Sequence, residues 1–171
     1  MKDLRGLPVH AASREQFLAY YSALFEHSPW IVEQAWHAQP FADAAALHDT
    51  LLGVLAAATD EQRLALIRAH PELADKFVQA EGLTAASASE QASAGLTQLS
   101  PEEFQLFHDL NRSYRARFGF PFIICARLHT KASILAAMQS RLGSDPETEL
   151  REALTQIGLI VALRLATLEA P

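Results

Sequence analysis

His70-Pro71, within Arg68-Ala69-His70-Pro71-Glu72-Leu73-Ala74-Asp75-Lys76, joins a titratable imidazole to a backbone stop. Proline disfavours helical backbone at the residue before it, so a helix arriving through Arg68 must end at His70. A side chain at a helix end projects while the helix body stays rigid, and an imidazole there suits proton transfer near neutral pH. The plain alternative is a solvent-exposed histidine in a turn. Ser87-x-x-Glu90-Gln91 also has two readings. As a capping box it needs no function. As a site it offers a hydroxyl, a carboxylate and an amide at a helix N-terminus, where open N–H groups favour an anion. Arg164 shares an i, i+3/i+4 stripe with Leu150, Leu154, Ile157, Val161 and Leu168, on a face that should be buried. A buried guanidinium requires a carboxylate of the protein or an anionic ligand. Otherwise it reaches the surface at the helix end, where its charge suits the dipole.

Other chemistries fit less well. His70-x-Glu72 matches half of a zinc deaminase signature, but the required Pro-Cys-x-x-Cys is missing from a chain with one cysteine. The seven histidines include no pair spaced three to five apart, so no metal site of the usual helical kind is expected. Cys125 lies among Ile123, Ile124 and Ala126, surroundings that raise a thiol pKa and favour a buried, inert role over that of a nucleophile partnered by His70. Phe118-Gly119-Phe120-Pro121-Phe122-Ile123-Ile124-Cys125-Ala126 is an apolar, non-helical stretch whose main-chain polar groups need partners. A ligand rich in donors and acceptors would supply them; so would a neighbouring helix or water.

The elements that must position these groups are helices. Ser13-Arg14-Glu15-Gln16 and Thr59-Asp60-Glu61-Gln62 carry capping-box patterns, and Ser100-Pro101-Glu102-Glu103 starts the clearest helix. Ser28-Pro29 predicts an N-cap with proline at the first helical position. Residues 43–58 place Leu47, Leu51, Leu52 and Leu55 on one face, and Phe104, Phe107, Leu110, Tyr114 and Phe118 form a stripe ending at Gly119. Ser87 is a further possible helix start, and helices are expected over Thr130–Arg141 and Pro146 to about Thr167. Only Phe120–Ala126 reads as extended, and Pro121 argues against a central strand. The expectation is an all-α, single-domain compact bundle of about seven to eight helices, one domain over residues 1–171 with its core at about 7–168.

Composition narrows the partners. A net charge of -6 without a Lys/Arg cluster gives no electrostatic footprint for nucleic acid. No apolar run approaches a membrane span, and Met1-Lys2-Asp3-Leu4-Arg5 lacks the apolar segment of a secretory signal. With a single cysteine, a cytoplasmic location is expected.

Taken in order, Leu24-Phe25-Glu26-His27-Ser28-Pro29-Trp30, Ala69-His70-Pro71-Glu72-Leu73-Ala74, Ser87-x-x-Glu90-Gln91, Asn111-x-x-Tyr114-x-x-x-Phe118-Gly119-Phe120-Pro121-Phe122-Ile123 and Arg164-Leu165 resemble the 2-oxo-4-hydroxy-4-carboxy-5-ureidoimidazoline (OHCU) decarboxylases of uric acid breakdown. The resemblance covers nearly the whole chain. It departs at Asp75 and Leu128, where glycine is common, and at Gly143, where asparagine is frequent. It implies an all-helical carboxy-lyase that needs no cofactor and forms (S)-allantoin and CO₂ from OHCU, commonly as a homodimer. It further implies that His70 is the catalytic acid/base, assisted by Glu90. Pro71, Ser87, Gln91, Arg164 and the backbone of Phe122, Ile123, Ile124, Cys125 and Ala126 would line the substrate site. Two rivals are a non-catalytic all-α binding module, with His70 exposed and Arg164 paired to an internal carboxylate, and a lyase acting on a related ureido acid.

Overall fold

The computed structural model describes residues 13–75 and 82–169. Among these residues there are eight α-helices and no strand: α1 (Arg14–Tyr21), α2 (Trp30–Ala35), α3 (Ala44–Ala57), α4 (Asp60–Ala69), α5 (Ala85–Ser93), α6 (Pro101–Phe118), α7 (Lys131–Arg141) and α8 (Pro146–Leu168). The all-α expectation is met. Lys76, the predicted start of the core near residue 7 and the segment Met1–Arg5 lie outside the described residues.

Helix starts follow from short-range chemistry. Ser13 Oγ accepts from Gln16 N–H while Gln16 Oε1 accepts from Ser13 N–H. The same reciprocal bonds join Thr59 to Gln62 and Ser100 to Glu103. Each pair satisfies donors that a helix N-terminus leaves open. Two predicted starts are corrected. The Ser28 side chain does not cap α2, which begins at Trp30 and takes only the Ser28 carbonyl, from Ile31 N–H at 3.4 Å. Ser87 does not open a helix either: Thr84 caps α5, accepting from Ser87 N–H at 3.2 Å. Ser87 is therefore the third residue of the helix, its own N–H among those the cap serves, and Glu90 lies a turn further in.

The chain divides into two compact units, one built from Met1–Leu66 with Gly158–Pro171 and the other from Ile67–Ile157. In the first, Phe17 packs against Tyr21, Trp36 and Phe41 at ring separations of 4.9, 5.3 and 6.1 Å. Gly158 of α8 faces Leu52 of α3, where an added Cβ would lie at contact distance, 3.4 Å from Leu52 Cδ2. His48 Nε2 lies 3.1 Å from the Gly158 carbonyl across that contact. Tyr20 donates to the Leu168 carbonyl at 2.6 Å, tying α1 to the end of α8.

The second unit centres on α6. Its inward face carries Phe107, Asn111 and Tyr114, so the predicted aromatic stripe includes a buried amide. Gly119 stops the helix in the left-handed region at φ 75°, its N–H bonded to the Arg115 carbonyl at 2.8 Å. From there the chain forms neither helix nor strand until a 3-10 turn at Ala126–Leu128 that packs against α5. All residues from Phe120 to Ala126 are buried.

Candidate functional site

α4 ends at Ala69, and His70 is the first residue beyond it, its N–H still bonded to the Ile67 carbonyl at 3.1 Å. The proline thus stops the helix where the sequence predicts. The solvent-exposed alternative for His70 does not hold: the residue is 7% exposed. The loop that follows is fixed by side chains of two helices. Arg115 of α6 donates to the Glu72 carboxylate at 2.6 Å, and Asn111 of α6 donates to the Leu73 carbonyl at 2.8 Å. From α5, Gln91 Oε1 accepts from Ala74 N–H at 3.1 Å and Nε2 donates to the Glu72 carbonyl at 3.4 Å. Ala74 sits at φ 58°, a left-handed conformation that residues with a Cβ avoid. Bonds from outside the loop hold it there, the usual condition for strained backbone to persist.

α5 presents Ser87 and Gln91 to the interior, both buried, with Glu90 half-buried on the same helix. Its contact with the Ala126–Leu128 turn brings Glu90 near the extended segment. Burial first, and the Glu90 carboxylate second, push the Cys125 thiol above its ordinary range. This agrees with the inert, buried role expected of Cys125, which is 1% exposed. α5 therefore serves both the loop after His70 and the segment ending at Ala126. His70, Pro71, Ser87, Glu90, Gln91 and Phe122–Ala126 all belong to the second unit.

Arg164 belongs to the first unit. Its Nη2 donates to Glu26 Oε1 at 3.0 Å, and its Nη1 lies 3.4 and 3.3 Å from the Ala23 and Leu24 carbonyls. The guanidinium is 7% and the carboxylate 2% exposed, so Arg164 does not reach the surface. An internal carboxylate is the feature the binding-module reading predicts. The buried His70 is not.

Several polar residues escaped the sequence reading. Glu26 stood only inside a motif, 138 positions from its arginine. Glu149, 1% exposed, lies one residue before the apolar stripe of α8 begins at Leu150, so no periodicity marks it. Arg141 donates through Nε to Glu149 at 2.8 Å and through Nη1 to the Ile123 carbonyl at 2.8 Å. Tyr114 donates to the same Glu149 oxygen, and burial followed by that carboxylate drives the phenol well above its usual pKa. Gln156 Oε1 accepts from Cys125 N–H at 2.9 Å.

The fold and the site together are those of an all-helical protein with a buried histidine at a helix stop, next to a loop held by the buried Gln91 of α5. Comparisons with known proteins agree on the class, a carboxy-lyase. The model of the OHCU decarboxylase family matches residues 10–166. A 2-oxo-4-hydroxy-4-carboxy-5-ureidoimidazoline decarboxylase of Haloferax volcanii is 36% identical over 97% of this chain and 96% of its own length. A uric acid degradation bifunctional protein of Bacillus subtilis is 40% identical over 84% of this chain, which spans 28% of that longer protein. A crystal structure of OHCU decarboxylase in the presence of (S)-allantoin shares the fold, with a TM-score of 0.73 and 24% identity over 94% of this chain and all of the other. The chain belongs to the OHCU decarboxylase family.

Proposed function

We propose that the protein decarboxylates OHCU to (S)-allantoin and CO₂ in uric acid degradation, with His70 transferring the proton and Glu90 as its partner. One observation carries the assignment of the site: α5 holds the loop after His70 through Gln91 and packs against the turn that closes the Phe122–Ala126 segment. In this reading Arg164 anchors negative charge. Pro71, Ser87, Gln91 and the main chain of Phe122, Ile123, Ile124, Cys125 and Ala126 receive the amide-rich remainder of the substrate.

The chemistry asks little of a catalyst beyond placement. The carboxylate sits on a carbon that bears a hydroxyl and adjoins the C=N carbon. When the C–C bond to CO₂ breaks, its electron pair forms a C=C bond and the C=N pair moves onto nitrogen, which takes up a proton. The ureido-bearing carbon then accepts a proton and the hydroxyl, losing its own, becomes the carbonyl of allantoin. No pyridoxal, thiamine or metal is needed to take up the pair. The stereochemical outcome depends on one proton reaching one face, a task for a single well-placed acid such as His70. Glu90 either orients that imidazole or raises the energy of the departing carboxylate by like-charge repulsion. We further propose that the whole chain acts as one domain, in the cytoplasm, as a homodimer.

The test follows (S)-allantoin formation by circular dichroism on freshly prepared OHCU. The wild-type protein should exceed the spontaneous rate, and His70→Asn should return to it. Wild-type protein no faster than buffer, or a fully active His70→Asn, overturns the assignment.

A further inference from the structure

The run from Phe120 to Cys125 is buried, pairs with no strand among the described residues, and still has to keep one shape. Two side chains occupy one of its edges. Arg141, at the end of α7, donates to the Ile123 carbonyl at 2.8 Å, and Gln156 of α8 accepts from Cys125 N–H at 2.9 Å. A carbonyl and the N–H two residues later are the pair a neighbouring antiparallel strand would engage. Arg141 and Gln156 supply the donor and the acceptor of that absent strand. With the Ile123 carbonyl and the Cys125 N–H taken on one side, strand-like alternation of the segment would turn the N–H and C=O of Ile124 to the other edge.

The donor is itself secured. Glu149 receives Arg141 Nε and Nη2 and the Tyr114 hydroxyl on one oxygen, while its Oε2 has no partner among the described residues. The Arg141 guanidinium lies 4.3 Å from the Phe122 ring centroid, and Tyr114 meets the same ring edge-on at 5.2 Å. Buried ion pairs are poor stabilisers compared with apolar residues of the same volume. Packing alone does not call for this one. Its distinguishing product is the bond to the Ile123 carbonyl, which no apolar replacement makes.

We propose that Arg141, fixed by Glu149, and Gln156 are positioning residues that set the register of Ile123–Cys125, so that the main chain of Ile124 meets the substrate. This rests on the decarboxylase reading above, in which that segment lines the substrate site.

The experiment compares wild type with two changes that remove the edge bonds without stranding a charge. Arg141→Met with Glu149→Leu deletes the ion pair whole. Gln156→Leu deletes the acceptor. Each is measured for melting temperature, KM and kcat on fresh OHCU. The expected result is a KM raised about tenfold, the scale of one lost hydrogen bond, with kcat close to wild type and the melting temperature lowered only by the buried polar group each variant leaves unpaired. The exchange Gln156→Glu with Glu152→Gln keeps the side-chain bond between these two residues, now 2.7 Å, and restores an acceptor for Cys125 N–H; it should bring KM back. KM at the wild-type value in both variants overturns the proposal, as does a loss that tracks the melting temperature and is not rescued by the exchange. A wild-type protein without activity overturns the decarboxylase reading itself, and this proposal with it.

Discussion

Arg164 and Glu26 form a buried ion pair across 138 positions of sequence, at 3.0 Å. The guanidinium is thereby compensated by the protein's own carboxylate. Its geometry is set further by the Ala23 and Leu24 carbonyls, so the cation is oriented as well as neutralised.

Removing only the carboxylate leaves a buried cation. Glu26→Ala should lower unfolding free energy in urea by about 3–5 kcal/mol, and Glu26→Leu with Arg164→Met should recover most of it. The double variant should nevertheless stay inactive on OHCU if Arg164 anchors negative charge. Activity at the wild-type level in the double variant would contradict that role.

Gln91→Leu removes the acceptor of the buried Ala74 N–H and the donor to the Glu72 carbonyl. The cost should be about 1–3 kcal/mol in thermal or urea unfolding, the price of a buried polar group left unpaired. Because the affected loop follows His70, turnover should fall further than the stability loss alone explains. A variant with normal kcat/KM would show that the loop keeps its shape without this tie.

Cys125 should resist alkylation. At pH 8 its modification by iodoacetamide should be at least about tenfold slower than that of a free thiol, because burial and the Glu90 carboxylate favour the protonated form. Denaturation in urea should restore the normal rate. The sign for stability follows. A thiol whose folded pKa is raised contributes fully below its unfolded value, 9.0 for the reference thiol, and the contribution is lost as pH rises through the folded one. Cys125→Ser should therefore reduce the decline in stability on the alkaline side. Rapid labelling of the native protein at pH 8 would contradict the buried assignment.

Gly119 stands at φ 75°, and a Cβ there would meet Arg68 Nη2 at 3.8 Å, an ordinary contact. Space is available, so Gly119→Ala should cost about 1–2 kcal/mol through backbone conformation alone. Gly119→Asn should cost less, since asparagine tolerates the left-handed region. Equal losses for both in chemical denaturation would point to a steric cause instead.

Helix positions were legible because their signals are local. Ser13, Thr59 and Ser100 each find their partner three residues away, and Gly119 ends α6 by a property of its own backbone. Ser87 was misread for a related reason. Thr84, three residues upstream, provides an equally valid cap, and residue types alone do not say which hydroxyl faces the open N–H groups. The burial of Arg164 was legible from the stripe on α8, but its partner was not, since no periodicity links Glu26 to it. Arg141 and Gln156 were invisible for the same reason: their contacts are with main-chain atoms of Ile123 and Cys125, which leave no trace in residue identity.

The left-handed turn at Ala74 has a consequence for the order of synthesis. Ala74 takes that bend with its N–H bonded to Gln91 Oε1, a side chain 17 residues further along the chain. A nascent chain ending before Gln91 would already contain all of α4 and its histidine, yet lack the group that shapes the loop after it. Hydrogen exchange at the Ala74 amide should therefore report the docking of α5, not the formation of α4.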